Sequence, residues 1–111
     1  MGGRVKRGEA RWYTFEEPNK RRPVLILTRT PAIRYLDEIV VAQITSTMRA
    51  VPSSVALSEE DGMAHPCDVN LHQITLVRKS DLGTVITVLS SEKMREVAEA
   101  IRYSLDLGLF L

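Results

Sequence analysis

RRPVLIL (residues 21–27) sets two guanidiniums and a proline against an unbroken apolar run. An apolar run of that length, bounded by polar and turn residues, reads as a buried strand. Pro23 fits at the strand's start, where its missing N–H is least harmful. The strand itself continues over residues 24–28. Arg21 and Arg22, with Lys20 just ahead, are then either solubilising charges at the mouth of a strand or donors aimed at an anion.

Upstream, RWYTFE (residues 11–16) alternates polar and apolar side chains and reads as a first strand, with EPNK (residues 17–20) as the loop between the two. Downstream, Pro31 starts a short helical turn, and EIVVAQIT (residues 38–45) is a β-branched third strand ending in the hydroxyl cluster Thr45, Ser46, Thr47. Pro52 and two serines precede a short strand at residues 54–57, and SEEDG (residues 58–62) is an acidic turn. DVNLHQITLV (residues 68–77) and TVITVL (residues 84–89) are the last strands.

The period then changes. Met94, Val97, Ala98, Ile101 and Leu105 form one apolar helical stripe. Ser90 or Ser91 caps its start, Glu92 complements the dipole, Arg95 and Glu99 lie four apart, and Gly108 supplies the stop. Strands followed by one covering helix, without repeats or linkers, predict a single α+β domain over residues 1–111.

Composition narrows the function. With 44% hydrophobic and 26% charged residues, the chain is an ordinary globular protein. Its apolar runs are too short to span a membrane, and MGGRVKRGE lacks a signal-peptide core. Lys6 stands where a myristoylation signal needs Ser or Thr. The one cysteine, Cys67, has no internal disulfide partner and fits a reducing cytoplasm, as a half-buried strand residue. Net charge is +1, but residues 1–49 hold ten Lys/Arg against five Asp/Glu, and residues 50–111 hold five against nine. That asymmetry predicts one basic face, suited to a polyanion.

Phosphate-loop, dinucleotide and zinc patterns are absent; His65 and His72 are seven apart across a proline, and His65 reads as a loop residue beside Pro66. No metal or other cofactor is expected. If the chain is an enzyme, it works with what remains, Arg, Thr, Gln and His, a set that suits metal-free cleavage of RNA through its own 2′-hydroxyl. Such a reaction needs a base, an acid and donors for the charge on phosphorus. Arg suits the last task, because its fork of donors matches phosphate oxygens.

The order and spacing of KRGEARWYTFE, RRPVLILTR, VVAQITST, VNLHQITLVRKSDLG and LDLGLF resemble the MazF/PemK family of toxin endoribonucleases over nearly the whole chain. The resemblance implies a small Src-homology-3-like barrel of the CcdB/MazF type, with a C-terminal helix packed on the sheet. It implies a cytoplasmic homodimer that cuts single-stranded RNA and is neutralised by a MazE-like antitoxin with an acidic segment. Residue by residue, Arg22 matches the catalytic Arg before Pro, Thr45 the Thr closing the third strand, and Gln73 a substrate or structural contact. His72 stands where many members have an acid, and Thr75 where they have Arg or Lys. The loop before RRP is short, with Glu16 or Glu17 as possible replacements for a family Glu.

The expected site is therefore Arg22, Thr45 and His72 for catalysis, with Lys20, Arg21, Arg49, Gln73 and Trp12 for RNA. Asn70, His72 and Ile74 alternate onto one strand face, so His72 reads equally as a structural histidine or as the proton-transfer group. Of Trp12 and Tyr13, which could stack bases, at least one belongs to the core. Two rivals remain: a gyrase poison of the same fold, against which the LGLFL ending counts, and a non-catalytic binding module.

Overall fold

The computed structural model describes residues 4–16 and 20–108. Six antiparallel strands form one sheet, β1 (Glu9–Thr14), β2 (Arg21–Ile26), β3 (Glu38–Thr45), β4 (Ser54–Leu57), β5 (Cys67–Arg78) and β6 (Val85–Val88), in the order β4-β5-β3-β2-β1-β6. The sheet curls into a half-barrel. A helical turn, α1 (Thr30–Ile33), carries Pro31 in its first positions, and the helix α2 (Ser91–Leu105) packs against β4 and β5.

Alternation along the strands builds two cores. One face gathers Ala10, Leu25, Ala42, Ile44, Leu57, Val69 and Leu71 under Val97 and Ala100 of α2. The other gathers Val24, Ile26, Ile33, Ile39, Val41 and Val77, with Tyr13 and Phe15 packed edge-on at 4.8 Å. Each fully buried Leu or Ile contributes about 1.5–3 kcal/mol. Tyr13 is thus the aromatic of the pair that serves a core.

The strand order along the chain follows the sequence reading, with differences at the ends. β1 starts at Glu9 and leaves the sheet after Thr14. Glu9 is held there by a buried ion pair, its Oε1 2.8 Å from Arg11 Nε. Arg11 also donates to the carbonyl oxygens of Gly83 and Arg4, so both charges are compensated inside the protein. β2 begins at Arg21, not at Val24, because Arg21 and Arg22 pair with Thr14 and Tyr13. The loop expected at residues 17–20 lies, Lys20 apart, outside the described residues, as do residues 109–111 of the terminal LGLFL.

In α2, Ser90 is the cap, its side chain accepting from Lys93 N at 3.1 Å. The apolar stripe runs through Met94, Val97, Ala100 and Ile101, while Ala98 and Leu105 are exposed. The ion pairs on its outer face are Lys93–Glu96 and Arg102–Glu99, so Glu99 turns to Arg102 and not to Arg95. Asp106, at φ 58, ends the helix two residues before Gly108. Cys67 is buried rather than half-buried, at the start of β5.

The largest departure is in β5. The β3 register runs Ala42↔Ile74 and then Gln43↔Asn70, so Leu71, His72 and Gln73 bulge out against no partner. Two bonds fix the bulge: Leu71 N donates to Ser53 O at 2.8 Å, and Ser104 Oγ donates to Leu71 O at 2.9 Å. The expected alternation of Asn70, His72 and Ile74 is therefore broken. Asn70 and Ile74 lie opposite neighbouring residues of β3 and face opposite sides, and His72 is exposed.

Candidate functional site

The β1–β2 register decides where the basic residues point. Trp12 pairs with Pro23, Tyr13 with Arg22 and Thr14 with Arg21. Opposed residues share a face, so Arg21 joins Trp12 and Pro23, while Arg22 joins Tyr13 and Val24. The Arg21 guanidinium carbon sits 4.3 Å from the centre of the Trp12 ring. Between β2 and β3 the pairing is Val24↔Gln43. Carried two residues further, the same register sets Arg22 level with Thr45, and Thr45 in turn pairs with Asp68. Tyr13, Arg22, Thr45 and Asp68 thus form a row across the end of four strands.

Beside this row opens a cleft of about 430 Å³, lined by Trp12, Lys20, Arg21, Arg22, Thr45, Ser46, Met63, His65, Cys67 and their neighbours. Three cations lie along its rim, and no Asp or Glu lines it among the described residues. Such a cleft concentrates an anion and offers it fixed N–H and O–H donors. Burial, with help from Asp68 and Asp61, pushes the Cys67 thiol above its ordinary value of 9.0. Cys67 therefore stands in the floor as an uncharged group and not as a nucleophile.

The connection after Thr45 is tied down locally. Thr45 Oγ1 accepts from Thr47 N at 3.2 Å, and the buried Asp68 accepts the Arg49 N–H on Oδ2 at 2.8 Å. Ala50 takes a left-handed φ of 53, which only a well-fixed loop sustains. On the other rim, Gly62 turns the chain with φ 98 and Thr87 Oγ1 donates to Asp61 O at 2.9 Å, carrying the chain toward His65. His65 Nδ1 donates to Pro66 O at 3.1 Å.

Of the residues expected from sequence, the cleft brings together Trp12, Lys20, Arg21, Arg22 and Thr45. It leaves His72, Gln73 and Arg49 outside its lining. His72 and Gln73 fall on the bulge: His72 Nδ1 bonds Ser53 Oγ at 2.8 Å, and Gln73 Oε1 accepts from Asn70 Nδ2 at 3.0 Å. Asn70 Oδ1 is buried with no partner among the described residues. Sequence reasoning left His65 as a loop residue, Ser46 in a hydroxyl cluster and Asp68 as a strand residue, and placed none of them in the site. A signal for His65 existed, since His-Pro ahead of a strand places an imidazole at the strand's mouth, as Arg-Pro does in β2. Among the described residues no three His, Cys, Asp or Glu side chains converge as metal ligands.

Comparisons with known proteins agree with this architecture. Residues 6–105 match the model of the PemK-like, MazF-like toxin of type II toxin–antitoxin systems. An endoribonuclease MazF3 of Mycobacterium tuberculosis is 35% identical over 89 residues, 80% of this chain and 86% of the relative. A probable endoribonuclease MazF2 of the same species is 32% identical over 101 residues, 90% and 97% of the two chains. Among solved structures, the Mycobacterium tuberculosis toxin MazF-mt6 superposes with a TM-score of 0.81 at 31% identity, covering 89% of this chain and 97% of that one. A mycobacterial endoribonuclease solved with its cognate antitoxin shares the fold, with a TM-score of 0.83 at 23% identity over 93% and 96%. From its strand order to its helix, this chain belongs to the PemK-like, MazF-like toxins of type II toxin–antitoxin systems.

Proposed function

We propose that this toxin is an endoribonuclease that cuts single-stranded RNA in the cleft beside Arg22. The observation that carries the reading is that Lys20, Arg21 and Arg22 line one cleft together with Thr45 and Ser46, without carboxylates among its described lining. The relatives named as endoribonucleases support it.

In this reading the Arg22 guanidinium bonds the non-bridging oxygens of the scissile phosphate, and Thr45 adds a neutral donor as charge builds on phosphorus. The substrate's 2′-hydroxyl is the nucleophile, so the products are a cyclic phosphate and a 5′-hydroxyl. Lys20 and Arg21 hold neighbouring phosphates. Trp12 carries Arg21 on one ring face and offers its remaining surface to a base, a contact open to single strands. Arg49 and Gln73, beyond the lining, serve the strand as it leaves the cut.

A larger groove elsewhere, lined by Val5, Ile33, Tyr35, Leu82 and Val85 with Arg4, Lys6, Arg34 and Lys79, offers apolar area to a second copy and cations to an acidic antitoxin segment. We therefore read the working form as a homodimer neutralised by a MazE-like partner in the cytoplasm. No helix among the described residues is long and apolar enough to cross a membrane.

The test is incubation of the purified protein with a long single-stranded RNA in EDTA, with the cut ends mapped. Cleavage at a short recurring motif, abolished in Arg22→Ala, is the expected result. An uncut RNA across several substrates would return the chain to a binding-only toxin of the same fold.

A further inference from the structure

The cleft holds anchors for a phosphate, but the residue expected to move the proton, His72, lies on the β5 bulge outside it. We infer that His65 is the general base of this site, taking the 2′-hydroxyl proton through Nε2; this rests on the nuclease reading above. Among the described residues lining the cleft, the charged or titratable groups are Lys20, Arg21 and Arg22 at the start of β2, Cys67 in β5 and His65 itself. Asp61 and Asp68 lie close enough to act on the Cys67 thiol. The three cations have no lone pair to offer while charged, and the Cys67 thiol is held protonated. His65 is the remaining side chain suited to proton transfer near neutral pH.

The tautomer of its neutral ring also suits that task. Because Pro66 O can only accept, the 3.1 Å bond to Nδ1 places the proton of the neutral ring on Nδ1. Nε2 is then the lone-pair nitrogen, on an exposed side chain at the cleft wall. The turn that leads into its loop is held from behind: Gly62 turns the chain tightly against Thr87, and Thr87 holds the Asp61 carbonyl.

Nε2 takes the proton as the 2′-oxygen bonds to phosphorus, and the bond from phosphorus to the 5′-oxygen breaks. The departing 5′-oxygen takes a proton from water at the open mouth, and the imidazolium returns its own to the hydroxide so formed.

The test uses the full chain, an RNA carrying a site mapped with the wild type, and single-turnover rates across pH 5–9 in EDTA. His65→Gln keeps a polar side chain of similar reach but cannot titrate. It is expected to lose about 10²–10⁴-fold in rate at pH 7 and to lose the limb that rises with pH. Binding of a 2′-deoxy-substituted, uncleavable RNA stays unchanged, and added imidazole restores part of the rate to His65→Ala. A His65→Gln rate near that of the wild type, or a loss matched by equal loss of RNA binding, would overturn the assignment while leaving the nuclease reading intact. A wild type that leaves every RNA uncut overturns both.

Discussion

Arg21 lies with its guanidinium carbon 4.3 Å over the centre of the Trp12 ring, one strand across and two residues from the level pair. Trp12 is the only tryptophan in the chain, so its emission reports on the cleft directly. An uncleavable single-stranded RNA should change that emission on binding. Arg21→Ala removes an interaction worth about 0.5–1 kcal/mol at an exposed site and should alter the starting spectrum before any RNA is added.

Arg22 and Arg21 are neighbours with different duties, because alternation turns them to opposite faces. Arg22→Lys keeps the charge but loses the fork, and a cleavage rate lowered about 10²-fold or more is expected. Lys20→Ala should act mainly on binding, weakening it across sequences and reducing the salt slope by about 0.7 for each phosphate no longer neutralised. Rates and affinities measured at several salt concentrations separate the two.

His72 bonds Ser53 on the far side of the bulge. His72→Ala should behave as a surface change, within about 0.5 kcal/mol in stability, with cleavage close to that of the wild type. A large loss of rate would place the bulge in the reaction after all.

Gly62 cannot take a side chain. Its φ is 98, and an added Cβ would fall 2.7 Å from Thr87 Cβ. Gly62→Ala should destabilise the protein by at least about 1–3 kcal/mol, read as a lower midpoint in urea.

Burial raises the Cys67 thiol above 9.0, with Asp68 and Asp61 adding to the effect. The folded state therefore holds this proton more tightly than the unfolded chain does. The stability gained from that difference is present in full below pH 9.0 and is lost as pH rises toward the folded value. Alkylation at pH 8 should be slow until denaturant opens the core, and Cys67→Ser should alter the alkaline fall in stability.

The Glu9–Arg11 pair is buried on both sides. Arg11→Ala leaves a carboxylate without its cation and should cost about 3–5 kcal/mol. Replacing both partners with apolar residues of similar volume should cost much less. A double-mutant cycle in denaturant measures the coupling.

Strands and helix were legible because each has a local signature: the apolar and β-branched runs VLIL and IVVAQIT for the sheet, the helical period from Met94 to Ile101 for the helix. Arg22 and Thr45 were legible as a pair only through the family resemblance, since periodicity alone says nothing about which strands adjoin. His72 shows the limit. Alternation read from Asn70 to Ile74 assumes an unbroken ladder, and nothing local announces that residues 71–73 have no partners on β3. The bulge depends on Ser53 and Ser104, both distant in sequence. His65 was left out of the site for a related reason: His-Pro ahead of a strand is a weak signal until the fold sets β2 along the same cleft.

That bulge also bears on how the chain reaches its fold. β5 must pair with β3 in two half-registers, and a one-residue slip would turn a core face outward. Its anchors come from the segment before β4 and from the last turns of α2. The register of the longest strand is therefore clamped from two sides, by the chain before β4 and by the C-terminal helix. A chain still emerging from the ribosome without Ser104 lacks one of the two clamps on its own register.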